Sequence, residues 1–227
     1  MTQLKLQRIQ PHSGEAGFTI IESLIAIIVV GILLTAIAPV IVLSVGTRVQ
    51  SKRVELATQA AKTYIDGVTS GSIESPPITQ KDSNLIAQVN APSGNLNCKT
   101  DNEYCSSPKD KTYQVYCLDG SGDGTCKKDD PKDMLVQAFA YNPSTDEANS
   151  GYRLGIRVYR ADAFKDGKSL EKSDDKKKAT QSSFSGAISK LKAPLLEMTT
   201  DIASRNTTFA DFCSRLENNK NTNSQCK

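Results

Sequence analysis

The feature that most constrains this chain is an apolar run near its N-terminus. Residues 24–45 carry no charged side chain, and the acidic Glu22 comes just before them. At about 1.5 Å per helical residue, residues 18–45 exceed the ~30 Å of a hydrocarbon core, so one tilted or kinked helix is enough to cross a membrane. A carboxylate at the centre of a membrane helix costs about 2.5–3.5 kcal/mol on insertion scales, which indicates a function and a charged partner for Glu22.

The partner that the sequence offers Glu22 is a new N-terminal amine. A cut between Gly17 and Phe18 would place an ammonium on Phe18, one helical turn before Glu22 and on the same face. Glu22 would then lie in the first turns of a helix, where the helix dipole favours an anion. Within one chain the two charges would neutralise each other, and between two chains they would set the stagger of neighbouring helices. Both uses require the cut.

Residues 17–23, GFTIIES, resemble the processing and methylation site of type IV prepilins and pseudopilins. A short polar leader precedes Gly17, Phe18 follows the cut, and Glu22 is fifth in the mature chain. Gly31 and Pro39 fall where many pilins carry a glycine and a proline, and the resemblance implies that the helix between them loosens in the filament. An ordinary signal anchor or signal peptide is the alternative. It explains less, because a signal peptide has an apolar core of about 7–15 residues that precedes its cut.

We divide the chain into four segments. They are a leader that is removed (1–17), a transmembrane and assembly helix (18–45), an amphipathic continuation of that helix (46–71) and an exported globular domain (72–227). In the third segment Leu56, Ala60, Tyr64 and Val68 recur at helical spacing, which predicts a helix with one face on a domain. A linker helix with no partner is the alternative. The helix of the third segment is predicted to end at Gly67, Gly71 and the Pro76-Pro77 pair.

The last segment is predicted to contain loops first and then strands. Residues 72–112 are rich in Ser, Pro, Asn, Lys and Asp, which indicates loops. Residues 113–118, 134–141 and 152–159 are β-prone, and the last two runs form a predicted antiparallel hairpin. Residues 195–202 and 209–216 are predicted to be short helices. The expected fold is therefore α+β and pilin-like, with a long N-terminal helix packed on a small antiparallel sheet and disulfide-stapled loops.

Six cysteines lie beyond the apolar run, which favours export to an oxidising compartment. Many pairings are possible, and we predict bonds between sequential neighbours: Cys98 with Cys105, Cys117 with Cys126, and Cys213 with Cys226. A zinc site would ordinarily need closer cysteine pairs or histidine, and the one histidine is His12 in the leader. Export of the C-terminal domain runs against the positive-inside rule. The basic residues after the span (Arg48, Lys52 and Arg53) outnumber those before it (Lys5 and Arg8). The resemblance implies leader removal on the cytoplasmic face, and we therefore predict that the C-terminal domain is exported.

One local cluster fits part of a calcium loop. Asp119, Ser121, Asp123 and Asp130 match positions one, three, five and twelve around the glycine turn at Gly124. Lys127 at position nine does not fit, and a bond between Cys117 and Cys126 would close the loop early. A glycine-rich hairpin turn is the preferred interpretation, and we predict no metal and no cofactor.

Other functions have weaker support. Residues 165–178 hold six lysines and four acids, which is typical of a solvated loop, although contact with an acidic polysaccharide is an alternative. The formal charge of +3 is too small to indicate a nucleic-acid partner. Without histidine the mature chain would have no Ser-His or Cys-His pair, so we expect no enzymatic activity. A membrane-anchored exported enzyme or binding domain is the alternative of another class.

A second resemblance narrows the function. Residues 53–68 (RVELATQAAKTYIDGV) and the SPP at 75–77 are similar to the pseudopilins linked to polysaccharide secretion in hormogonia of filamentous cyanobacteria. This implies a minor subunit of a type IV pilus-like filament that supports polysaccharide secretion and gliding motility. A type II secretion pseudopilin for protein export and a DNA-uptake minor pilin are alternatives.

The same resemblance implies the partners and the location. The partners are prepilin peptidase, other pilins or pseudopilins, an inner-membrane platform protein and an assembly ATPase. The chain is expected to cross the inner membrane once, with its C-terminal domain exported, and then to join a periplasmic or cell-surface filament.

Overall fold

The computed structural model describes residues 17, 19–80, 85–98, 101–106, 114–174, 176–181 and 190–217. The chain divides into two compact units, which we call the apolar unit (1–45) and the sheet unit (46–227). The elements in chain order are α1 (Ile20–Ser70), β1 (Ile78–Thr79), α2 (Leu85–Gln88), β2 (Glu103–Tyr104), β3 (Val115–Leu118), β4 (Met134–Tyr141), β5 (Tyr152–Arg160), β6 (Leu196–Ile202) and α3 (Phe209–Glu217).

In the apolar unit, α1 exposes apolar side chains on every side. Residues 20–45 are all exposed, and they include many isoleucines, leucines and valines. A helix that is apolar all round is typical of a protein core or a membrane span. Among the described residues, α1 is the one helix that is long and apolar enough to cross a membrane.

In the sheet unit, α1 buries a narrow face of small side chains and one tyrosine. Ala57, Ala60, Ala61 and Tyr64 are 0–5% exposed. Their three- and four-residue spacing puts them on one side of the helix, as predicted. The small alanines let the helix backbone come close to the sheet. The helix therefore has a packing partner and is not a bare linker.

The end of α1 differs from the prediction at one glycine. The helix passes through Gly67 and ends at Ser70, and Gly71 follows with a φ of 78°. Glycine takes this left-handed conformation without steric cost, which explains the stop. A Cβ on Gly67 would lie 2.3 Å from the Ile73 side chain. Gly67 thus allows a close contact and does not end the helix.

The strands form one mainly antiparallel sheet in the order β2-β3-β4-β5-β6. β4 and β5 pair along their whole length, from Met134 opposite Arg160 to Tyr141 opposite Arg153. The hairpin predicted from these two runs is confirmed. β1 pairs in parallel with the end of β4, where Ile78 is opposite Ala140.

The core between α1 and the sheet is continuous. Strand side chains alternate between faces, so every second residue of β4 and β5 points to the helix. The buried members of this core on the strands are Tyr116, Leu118, Met134, Val136, Ala138, Ala140, Tyr152, Leu154, Ile156, Val158 and Ile202. Tyr64 stacks edge-on against Tyr116 at 5.4 Å, and its hydroxyl is 2.6 Å from that of Tyr104. Burial raises the pKa of Tyr104 to about 12, so this cluster stays neutral in the physiological range.

The opposite face of the sheet is also buried. In many antiparallel sheets this second face is exposed to water. Leu135, Tyr159 and Phe164 belong to a second core that includes three disulfide cysteines, Cys105, Cys117 and Cys126. A Cβ on Gly155 would lie 2.1 Å from the Phe139 ring, so this close packing needs glycine.

A buried ion pair lies on this second face. The Arg157 side chain is 0% exposed, and its Nε donates to Glu197 Oε1 at 3.0 Å. Its Nη1 donates to the carbonyl of Val89 at 2.7 Å, which attaches the 85–98 segment to the sheet. Desolvation lowers the pKa of Arg157, while the nearby Glu197 raises it and keeps the charge paired.

The helix predicted over residues 195–202 is wrong, because Leu196–Ile202 is the edge strand β6. Its sequence alternates Leu196, Met198 and Ile202 toward α1 with acidic residues on the other side. The helix predicted over 209–216 is confirmed as α3. Thr208 Oγ1 accepts from the Asp211 amide, and Asp211 Oδ2 accepts from the Thr208 amide, which is a reciprocal N-terminal cap.

Replacing Glu197 should destabilise the sheet unit strongly. Glu197→Gln leaves the buried charge of Arg157 uncompensated, so we expect a loss of about 3 kcal/mol in the free energy of unfolding. The measurement is chemical denaturation of the full chain in detergent, followed by near-UV circular dichroism of the buried tyrosines. Glu55→Gln is the matched control, because the Lys52–Glu55 pair is exposed and should contribute less than about 0.5 kcal/mol. Equal effects of the two variants would contradict this account.

Candidate functional site

Thr19 caps the start of α1, just after the predicted cut. Its Oγ1 accepts a hydrogen bond from the Glu22 amide at 3.3 Å, and its carbonyl accepts from the amides of Glu22 and Ser23 at 3.1 Å. A threonine cap followed three residues later by glutamate is the sequence signature of a capping box. Thr19 is a functional residue that was not predicted from the sequence, although this four-residue signal marks it. Thr19 fixes where the helix begins and therefore where Glu22 lies in it.

Glu22 lies in the first turn of α1, where the unpaired amides favour an anion. Its residue is exposed, and among the described residues its carboxylate has no ion-pair partner. Gly17 is described and exposed, with open space around the position of a Cβ. Phe18, the predicted partner through its amine, lies outside the described residues, as does the leader up to residue 16.

Gly31 and Pro39 both lie inside α1, which is continuous across them. A Cβ on Gly31 would contact nothing within 4 Å. At about 100° per residue, Gly31 is on the opposite side of the helix from Glu22. Pro39 has no amide hydrogen for the carbonyl of Thr35, so the helix has one fewer backbone bond there. The predicted assembly residues are therefore spread along one helix.

Two disulfides hold loops beside the second core. Cys98 is bonded to Cys105, with their Cα atoms 4.3 Å apart, and Cys117 is bonded to Cys126, with theirs 6.3 Å apart. Cys213 is buried on α3. Cys226 lies outside the described residues, so its bond to Cys213 stays a prediction.

The candidate calcium loop is folded around the Asp119 carboxylate. Asp119 Oδ1 accepts from the amides of Ser121 and Gly122 at 2.7 Å, and Oδ2 accepts from the amide of Gly124 at 2.6 Å. Gly122 and Gly124 have φ values of 82° and 75°, which turn their amides inward. Asp123 accepts instead from Thr125 and Lys127. The two carboxylates thus serve different groups and do not converge.

The hydrogen bonds to Asp119 change its acidity. Desolvation raises the pKa of this carboxyl, but the bonds from Gly124, Gly122 and Ser121 outweigh it and lower the pKa to about 2. Over the ranges that the structure describes, no group of three His, Cys, Asp or Glu residues is arranged to hold a metal ion. The hydrogen bonds around Asp119 account for this loop as a turn.

The lysine-rich run is partly built into the fold. Leu170, Ser173 and Ala179 are buried, and Lys172 Nζ donates to the carbonyl of Ala87 at 2.6 Å. Lys192 pairs with Asp166 and also donates to the carbonyl of Ala163. Asp175 lies outside the described residues. Some lysines of this run hold loops together, and others remain exposed.

The acid sensitivity of the Asp119 loop should be measurable. Because the folded pKa of about 2 is below the ordinary value of 3.8, the ionised group stabilises the fold above about pH 4, and this is lost as the pH falls toward 2. Asp119→Asn should therefore lower the melting temperature by a few degrees at pH 7 and make little difference once the pH is below about 2. Asp129→Asn, which alters an exposed acid of the same loop, is the control. A wild-type melting temperature that rises with added calcium would contradict the assignment as a turn.

One family model matches the N-terminal segment. The prokaryotic N-terminal methylation motif matches residues 12–38, a span that includes Gly17, Phe18, Glu22 and Gly31. No curated protein and no solved structure matches the chain. The motif implies processing by prepilin peptidase and assembly with other pilins in a membrane machinery. Together with the apolar helix that follows it, the motif supports a membrane-anchored, single-pass protein of the type IV pilin or pseudopilin kind.

Proposed function

We propose that the chain is a structural subunit, a pseudopilin or minor pilin, of a type IV pilus-like or type II secretion-like filament. The observation that carries this proposal is the methylation motif over residues 12–38, followed by a helix with a lone carboxylate in its first turn. The subunit acts mechanically and catalyses no reaction. An anchored enzyme is the weaker candidate, because a chain cut after Gly17 would have no histidine for a Ser-His or Cys-His pair.

The proposed mechanism begins with processing. Prepilin peptidase cuts between Gly17 and Phe18 and methylates the Phe18 amine. The apolar unit then holds a pool of subunits in the inner membrane, with the sheet unit exported. An assembly ATPase acts through a platform protein and draws subunits into a filament in the periplasm or at the cell surface.

Glu22 has the central role in assembly. A lone carboxylate in hydrocarbon is unfavourable by a few kcal/mol, and pairing with an ammonium removes most of that penalty. The Phe18 amine of a neighbouring subunit is such a partner. Because only one stagger of two helices brings the groups together, the pair sets the position of each incoming subunit. Gly31 and Pro39 weaken the helix between them and let it adapt in the filament.

Polysaccharide secretion and gliding motility are the proposed process. The support is the resemblance of residues 53–68 and 75–77 to the hormogonium pseudopilins. These residues form the α1 face that packs on the sheet and the turn after it. Protein export by a type II secretion filament is the second candidate, and the two are distinguished by which polymer stops leaving the cell.

Gly17→Leu should block processing. The peptidase site needs a small residue before the cut, so full-length precursor should accumulate in a host that has prepilin peptidase. Immunoblotting and intact mass measure the precursor fraction. Gly14→Leu is the matched control and should be cut normally. Normal processing of Gly17→Leu would overturn the site assignment.

Glu22→Val should be inserted and cut but should fail to enter filaments. Filament entry is measured in sheared surface fractions, and exported polysaccharide is measured in the same cells. We expect at least a tenfold loss of filament entry, the factor that corresponds to about 1.4 kcal/mol. Ser23→Val is the control and should assemble. Assembly of Glu22→Val at the wild-type level would contradict the charge-pair mechanism. Normal polysaccharide export without filament entry would contradict the proposed role in polysaccharide secretion.

A further inference from the structure

The sheet unit begins at Gly46, about one helical turn before the buried Gln50. Gln50 is 2% exposed, and its Nε2 donates to Gln181 Oε1 at 3.4 Å. Gln181 in turn donates from its amide to the carbonyl of Pro194 and from Nε2 to the carbonyl of Ala193. These bonds hold the segment before Gln181 beside the first turns of α1 in this unit.

Three exposed lysines come directly before this attachment. Lys176, Lys177 and Lys178 are exposed, and Lys178 is three residues from Gln181, so their Cα atoms are within about 11 Å. Asp174 Oδ1 accepts from the amides of Lys176 and Lys177, which makes a tight turn. The ammonium groups make no ion pair within the described ranges.

The start of α1 in the sheet unit adds basic groups at the same end. Arg48 and Lys52 are exposed on either side of Gln50, and Lys52 pairs with Glu55. The described acids near this end include Glu55, Asp162 and Asp174. Asp162 faces Arg53 and pairs with Arg160, and Asp174 accepts from backbone amides. We call Arg48, Lys52 and Lys176–Lys178 the basic end. Val49, an apolar residue 44% exposed, lies among them.

We propose that the basic end binds the anionic phospholipid head groups of the membrane that residues 18–45 cross. A basic group close to an anionic bilayer gains about fivefold in affinity, and the attraction fades within a Debye length of about 8 Å at physiological salt. Gly46 follows the predicted span directly in the chain, and the basic end is built around Gln50, four residues further on. A soluble acidic polysaccharide would need no such placement beside the entry point, so the lipid surface is the favoured partner. The inference rests only on the membrane anchoring in the proposed function.

The first experiment measures lysine reactivity in bilayers. The full chain is placed in nanodiscs of phosphatidylcholine, or of equal parts phosphatidylcholine and phosphatidylglycerol, and acetylation of each lysine is followed by mass spectrometry. Lys176, Lys177 and Lys178 should react about fivefold more slowly in the anionic discs. At 1 M salt, where the Debye length is about 3 Å, the difference should vanish. Lys62 is exposed on α1, about 18 Å along the helix from Gln50, and it should react equally fast in the two kinds of disc.

The second experiment compares two double variants with equal loss of charge. Lys177→Gln with Lys178→Gln should reduce the phosphatidylglycerol retained by the detergent-extracted chain about tenfold or more. Lys62→Gln with Arg205→Gln removes two exposed charges elsewhere and should leave retention unchanged. Equal retention by the two variants would overturn the proposal.

Two further outcomes separate the proposal from its premise. A chain that stays in both kinds of disc but shows the same lysine reactivity in each overturns the lipid contact and leaves the anchor intact. A chain that leaves both discs overturns the anchor as well. Protection of Lys176–Lys178 by soluble alginate in neutral discs, without an effect of phosphatidylglycerol, would replace the lipid by an acidic polysaccharide.

Discussion

The continuous backbone of α1 is the constraint on which the rest of this structure depends. In hydrocarbon every backbone donor and acceptor must be satisfied within the segment, and a helix does this. The same helix then has to present a face that a sheet can cover. Its side chains change accordingly, from apolar on all sides in the apolar unit to a stripe of Ala57, Ala60, Ala61 and Tyr64 in the sheet unit.

The sheet unit is stabilised on both faces, and the two faces use different chemistry. The α1 face is an apolar core with a tyrosine cluster. The other face is covered by segments outside the strands, which add apolar side chains such as Phe164 and Leu170 to the second core. The Cys117–Cys126 disulfide attaches one of these segments to β3. The paired side chains hold two others, because Arg157 donates to the carbonyl of Val89 and Glu197 accepts from the amide of Ser173. Buried ion pairs add little net stability, but they leave few alternative positions for the loops that they hold.

Sequence patterns predicted the elements with strong periodicity and missed those set by distant contacts. The apolar run, the alanine face and the β4–β5 hairpin all have local signals, and they are found. Residues 196–202 combine helix-compatible residues with a period-two pattern. They form a strand because they pair with β5. Burial of Arg157 depends on Glu197, forty residues away, and no local pattern reveals it. The Thr19 cap, by contrast, has a four-residue signal that was readable.

The candidate site is a short linear segment, so most of it could be predicted from residues 17–39. Its chemistry still depends on a covalent change that no fold supplies, the release of the Phe18 amine. The most direct test is the mature N-terminus, determined by mass spectrometry on protein from a host with prepilin peptidase. We expect a chain that begins at N-methylated Phe18. An intact Met1, or a cut after residue 45, would contradict this expectation. The chain would then be an anchored or a secreted domain.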